Sequence, residues 1–260
     1  IHFKTPFIKY TILYHIYHLF LQQFLLFLTF VFHKGIGDIK VYLFITLCRN
    51  LPFIILIQIR EIGIAFDNGV VLATERRATM GNLIASKKAK KVHAISQNIG
   101  MTIAGTVGDA QRLIRIINVE ASLYELRRGH PISVGAVSTV LSNYLNDNRF
   151  TPYSVQLVVG GVDANGSSLY SVDAAGGATL EENFVSTGSG SFTAYGVLED
   201  RFVPNMTKDD AVRLAVHALR AAMRRDAASG EGYNVAVITK DKFEYIDEDT
   251  IAGYLQPAHA

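Results

Sequence analysis

The chain has 260 residues, room for one large domain or two small ones, and 49% of them are hydrophobic against 18% charged. That balance excludes a disordered chain, and the single cysteine, Cys48, excludes a disulfide framework or a cysteine-built metal cluster. A net charge of +2 offers no strongly basic domain for nucleic acid.

These averages conceal a break near residue 60. Residues 1–60 carry six basic residues against one acid, Asp38, whereas residues 61–260 carry 19 basic and 22 acidic residues. The first segment has no Ala, Ser, Glu or Met, and it holds 13 of the 27 aromatic residues. Three readings compete for it. Thr11 to His33, and much of Tyr42 to Ile59, are apolar over about the length a bilayer requires, but His15, His18, Gln22, Gln23, Arg49 and Pro52 interrupt them. A secretory signal fits poorly, because the apolar part is too long and no Ala-x-Ala-like site follows. The third reading is an artefactual or misjoined leader, since translated AT-rich DNA has this Phe-, Ile-, Leu-, Tyr- and Lys-rich composition, and the composition favours it. The domain that carries function is therefore expected in residues 61–260.

In chain order, Ile62–Phe66 and Val70–Ala73 read as a hairpin about Asp67-Asn68-Gly69, with Asn-Gly the expected turn pair. Met101–Ala104 reads as a strand. Asp109 is the expected cap of a helix running to Arg128, with Leu113, Ile116, Ile117 and Tyr124 inward and Gly129 as its stop. Ser133 caps a second helix. Val155–Val159 and Ser168–Val172 form a second hairpin about Asp163–Gly166. Thr207 opens a further helix, with Asp210 at the capping-box position, and Asn234–Thr239 is the last strand. Strands, two helices, strands, two helices and a strand describe α+β layers, not the strict alternation of a parallel βαβ sheet.

Familiar chemistry is missing from these residues. Thr187–Ser191 is glycine-rich but lacks the Gly-Lys-Ser/Thr that places charge on a phosphate. No histidine pairing suits a metal, and no Gly-x-Ser-x-Gly elbow supports a serine triad. What remains is a set of small-residue loops with fixed charges: Glu75-Arg76-Arg77, a lysine cluster at Lys87, Lys88, Lys90 and Lys91, the strand-to-helix turn Gly105–Asp109, and Arg225–Gly230. Each also has a plain reading as a solvated face or a tight turn.

Taken together, Ala73–Met80, Ala104–Gln111, Ser186–Ser191, Tyr195–Glu199 and Arg225–Gly230 resemble the archaeal proteasome β-subunit family, in the right order and over nearly all of residues 61–260. The resemblance implies a four-layer αββα sandwich, two packed antiparallel sheets flanked by helices. It implies an N-terminal nucleophile hydrolase, in which a freed terminal threonine attacks the peptide carbonyl with its own α-amine as base. Position by position, Lys91 matches the lysine that lowers the nucleophile's proton affinity and Glu75 its acid partner. Gly105 matches the oxyanion-hole residue, and Ser189, Asp226 and Ser229 match residues that orient the amine and hydroxyl. Ala78, Ala89, Ile103 and Val107 match the walls of a pocket expected to accept apolar side chains. The implied partners are other β subunits in a stacked heptameric ring, α subunits, a regulatory ATPase acting through the α ring, and unfolded polypeptide. A cytoplasmic setting is implied, with no cofactor, metal or nucleic acid. One departure stands out: the nucleophile position falls on Ile59, which has no hydroxyl.

Overall fold

The computed structural model describes residues 55–57, 60–80, 83–225 and 232–256. All belong to the unit Pro52–Ala260. The positions of Ile59, Asp226 and Ser229 lie outside the described residues, as do residues 1–54 and hence most of the leader reading.

The described chain builds β1 (Ile55–Ile57), β2 (Arg60–Phe66), β3 (Gly69–Glu75), β4 (Ala78–Met80), β5 (Leu83–Ser86), β6 (Val92–Ser96) and β7 (Ile99–Thr106). Helices α1 (Val107–Arg128) and α2 (Val134–Asp147) follow, then β8 (Val155–Asp163), β9 (Gly166–Val172), β10 (Ala178–Glu181) and β11 (Phe184–Gly188). Helices α3 (Ser191–Arg201) and α4 (Lys208–Arg225), strands β12 (Tyr233–Thr239) and β13 (Phe243–Tyr245), and helix α5 (Glu248–Leu255) complete it.

Two antiparallel sheets result. One has the order β10-β9-β8-β7-β1-β4-β5 with β6 also on β7, and the other runs β11-β2-β3-β12-β13. Strand β3 shows why they pack. All seven of its residues are buried, and alternate side chains enter different cores. Val71 and Ala73 meet Leu198 of α3 and Val216 and Leu219 of α4. Val70 and Leu72 meet Val158, Leu169, Val185 and Ile238 between the two sheets. On the far side, Met101, Ile103 and Leu157 pack under Leu113 and Ile117 of α1 and Leu141 and Leu145 of α2. Helices, sheet, sheet and helices form the expected αββα sandwich.

Three local expectations change. The first hairpin turns on Asp67 and Asn68, with Phe66 opposite Gly69, so Gly69 opens the return strand. A Cβ on Gly69 would stand 2.4 Å from the Ile238 carbonyl oxygen, so close strand packing demands the glycine. Helix α1 starts two residues before Asp109, which instead accepts the Ser154 N–H at 2.9 Å and ties the helix to the start of β8. Its buried stripe is Ala110, Leu113, Ile117 and Ala121, which leaves Ile116 and Tyr124 half-buried on the flank. The caps at Ser133 and Thr207 form as expected, with the Ala136 N–H on Ser133 Oγ at 3.2 Å and the Asp210 N–H on Thr207 Oγ1 at 3.2 Å.

Candidate active site

At the end of β3 the Glu75 side chain is buried, and it meets Lys91, which lies directly before β6. Lys91 Nζ and Glu75 Oε1 form an ion pair whose side chains are 0% and 1% exposed. Oε2 of Glu75 accepts the Arg77 backbone N–H at 2.5 Å. A lysine is almost never found fully buried without such a partner, because desolvating the ammonium is expensive. The ion pair therefore holds an otherwise costly cation in place beneath the first residues of β2.

Glu61 is a second buried acid, which sequence reasoning did not single out. It pairs across β2 with Thr74 of β3 and Thr187 of β11. Thr187 Oγ1 donates to Glu61 Oε2 at 2.7 Å. Burial pushes the Glu61 carboxyl up to about 8, while the hydroxyls of Thr187 and Thr102 and the Lys91 charge pull it back. At neutral pH it is mostly the uncharged acid. Its only sequence signal was a charged residue directly before the apolar run Ile62–Phe66.

Gly105 has φ +125°, and a Cβ there would lie 1.8 Å from the Ser154 carbonyl oxygen, so no other residue fits. It is the last β7 residue paired with β8, opposite Val155. Helix α1 begins two residues later, so this turn sits at a helix N-terminus. Beside it, Ala78, Ala89 and Val107 gather with Ala104 into a small apolar cluster. Ile103, the fourth residue matched to the pocket, packs instead in the core under α1 and α2 and is 1% exposed. Strand alternation explains both facts: Ala104, which the sequence reading passed over, takes the face that Ile103 leaves.

Ser189 is exposed in the turn between β11 and α3. The strand before it pairs Gly188 with Arg60, the residue that follows Ile59 in the chain. Asp226 and Ser229 fall between Arg225 and Tyr233, and Tyr233 is the β12 partner of Glu75. Lys91, Glu75, Gly105 and three of the pocket residues are thus gathered around one end of the two sheets. One more element enters there. Strand β1, from within residues 1–60, lies between β7 and β4, with Ile57 opposite Gly105 and Leu56 opposite both Thr106 and Thr79.

No helix among the described residues is long and apolar enough to cross a membrane. The chain is thus an α+β sandwich of two packed antiparallel sheets flanked by helices, with a buried lysine–carboxylate pair toward one end. The family of proteasome subunits matches residues 61–238. A proteasome subunit beta of Methanocorpusculum labreanum is 78% identical over 197 residues, covering 76% of this chain and 93% of that protein. The corresponding subunit of Methanoregula boonei is 65% identical over 194 residues, covering 75% and 91%, and that of Archaeoglobus fulgidus is 56% identical over 189 residues, covering 72% and 89%. The chain belongs to the proteasome subunit family, on its archaeal β branch, and assembly with other proteasome subunits goes with that membership.

Proposed function

We propose that residues 61–260 are the body of a threonine-type endopeptidase that degrades unfolded cytoplasmic proteins inside a barrel of heptameric rings. Other β subunits would complete its ring, α subunits would gate entry, and a regulatory ATPase would act through the α ring. The observation that carries this reading is the buried Lys91–Glu75 pair. A scaffold that only assembled would gain nothing from a buried cation, since an apolar pair of similar volume is often as stable or more so.

In the active form a threonine in place of Ile59 would begin the chain. Its hydroxyl adds to the peptide carbonyl and its proton passes to the terminal amine, with the Lys91 charge favouring the ionised oxygen. The negative charge of the tetrahedral intermediate would fall near the Gly105 N–H. Collapse expels the amine half of the substrate, which takes the proton, and leaves an ester on the threonine. Water then cleaves the ester. Ser189, Asp226 and Ser229 would orient the amine and hydroxyl. The side chain before the cut would enter the cluster of Ala78, Ala89, Ala104 and Val107, whose walls suit an apolar group.

With Ile59 in place the attacking oxygen is absent, and we read residues 1–60 as a misjoined leader. The test is direct. The native transcript is sequenced across the codons for residues 50–65, and protein whose chain begins at position 59 with Ile59→Thr is co-expressed with archaeal α subunits. Cleavage of apolar fluorogenic peptides by the Ile59→Thr particles, and none by particles that keep Ile59, is the expected result. Assembled Ile59→Thr particles that cut nothing would sink the peptidase reading and leave a structural subunit.

A further inference from the structure

The short segment Ala89–Val92 carries both the Ala89 wall of the pocket and Lys91, and its outer anchors come from the C-terminal elements. The Ala89 N–H donates to the Arg76 carbonyl at 2.9 Å, and the Ala89 carbonyl accepts from Asn234 Nδ2 at 2.9 Å. Asn234, on β12, also accepts from Arg76 Nε through Oδ1 at 3.2 Å. Arg76 in turn pairs with Glu248 in the first turn of α5. Further along the segment, the Tyr245 hydroxyl donates to the Val92 carbonyl at 3.0 Å, and Lys90 Nζ stands 4.4 Å from the centre of the Tyr245 ring. Asn234 is the centre of this arrangement, because its one planar carboxamide both accepts from Arg76 and donates to Ala89.

We propose that Asn234 is a positioning residue for the candidate site, setting where the Ala89 wall stands and so how tightly the apolar pocket discriminates among side chains. Glu248, through Arg76, holds Asn234 in its working orientation and links α5 to the pocket. The selectivity consequence rests on the peptidase reading above, but the clamp itself does not. A lone hydrogen bond near a surface would matter little. Here both backbone groups of a pocket residue are held by partners tied to residues 234–248, so the loss of one changes where the wall rests.

Methyl-labelled full-length protein tests the clamp without any catalysis. Asn234→Ala and Asn234→Asp should both shift or broaden the Ala89 and Val107 methyl signals while leaving those of Val216 and Leu219, on α4, in place. Amide exchange across residues 87–92 should rise about tenfold in both. Aspartate is the discriminating variant, because it keeps the contact to Arg76 and replaces the donation to Ala89 with an oxygen that repels its carbonyl. Wild-type Ala89 signals in Asn234→Asp would overturn the proposal. Should either variant fail to fold, Glu248→Gln must shift the same Ala89 signal by a smaller amount, and an unchanged signal there would overturn it too. In Ile59→Thr particles, adding Asn234→Asp should alter the ratio of kcat/KM between leucine and phenylalanine peptides at least about threefold, and an unchanged ratio would refute the selectivity claim. Ile59→Thr particles that cut nothing before any second substitution would count against the peptidase reading alone, since the methyl signals report the clamp independently.

Discussion

Thr187 donates its hydroxyl proton to the fully buried carboxyl of Glu61 at 2.7 Å, across 126 residues of chain. The bond ties β11 to β2 beside the Lys91–Glu75 pair, and it is made to an acid that burial holds in its neutral form, with a folded-state value of about 8. In the unfolded chain the same group ionises near 4.5. Between those values the folded state keeps a proton that the unfolded state has lost. Stability therefore falls as pH rises across this window, by about 1.4 kcal/mol per pH unit at most, and levels off above the folded value. Urea midpoints at pH 5, 6.5 and 8.5 should decline in that order. Glu61→Gln keeps the acceptor for Thr187 and cannot ionise, so its midpoints should change much less over the same range. Parallel curves for the two proteins would show that Glu61 is not the group responsible.

The Lys91–Glu75 pair makes a different prediction, because the partners are unequal in what each leaves behind. Lys91→Ala strands a buried carboxylate, which costs about 3–5 kcal/mol. The double variant Lys91→Met with Glu75→Leu removes both charges and should recover much of that loss. Neither variant should cleave peptides in the Ile59→Thr background, although rings still form. Thermal unfolding separates stability from catalysis, and near-normal turnover in Lys91→Ala would remove its assigned role.

Much of this architecture was legible from residues alone, for identifiable reasons. The Val155–Val172 hairpin and the helices capped by Ser133 and Thr207 announce themselves through local rules: alternating apolar residues, a turn with Gly166, and hydroxyls that accept helix N–H groups. Asp109 misleads because the same side chain that can cap a helix can also serve a distant strand, and the Ser154 N–H claims it. Strands β1, β4 and β13 have three residues each, too few for periodicity to register. The site divides the same way. Glu75 and Gly105 sit in recognisable motifs and Lys91 in a visible lysine cluster, while the contacts of Asn234 and the packing of Ala104 depend on partners far off in sequence, and no local pattern reports such a partner.

Gly105 offers a severe local test. Its positive φ and the 1.8 Å approach of a Cβ to the Ser154 carbonyl combine strain with a backbone clash. Gly105→Ala must move β8 or the start of α1, at a cost of about 2–4 kcal/mol. For a domain of this size, that corresponds to a melting point lower by about 5–15 °C. Gly108, whose added Cβ would meet nothing within 4 Å, is the matched control, and Gly108→Ala should melt near the wild type. Equal melting points for the two variants would contradict the close approach.

Strand β1 leads to the last prediction. Between β7 and β4 it supplies the pairing that joins them in one sheet, with Leu56 bridging Thr106 and Thr79 and Ile57 lying opposite Gly105. Without it, two strand edges would face each other across a slot one strand wide, next to Ala78 and Val107. An extended peptide fits such a slot because its own N–H and C=O groups complete both ladders. A chain that keeps residues 55–57 fills the slot with itself. Exchange protection at Thr79 should therefore be high in the full chain and fall in protein that starts at residue 59. Adding a capped apolar tripeptide should restore it in the shortened protein and leave the full chain unchanged. If the tripeptide binds both forms equally, the β1 strand does not compete for the slot.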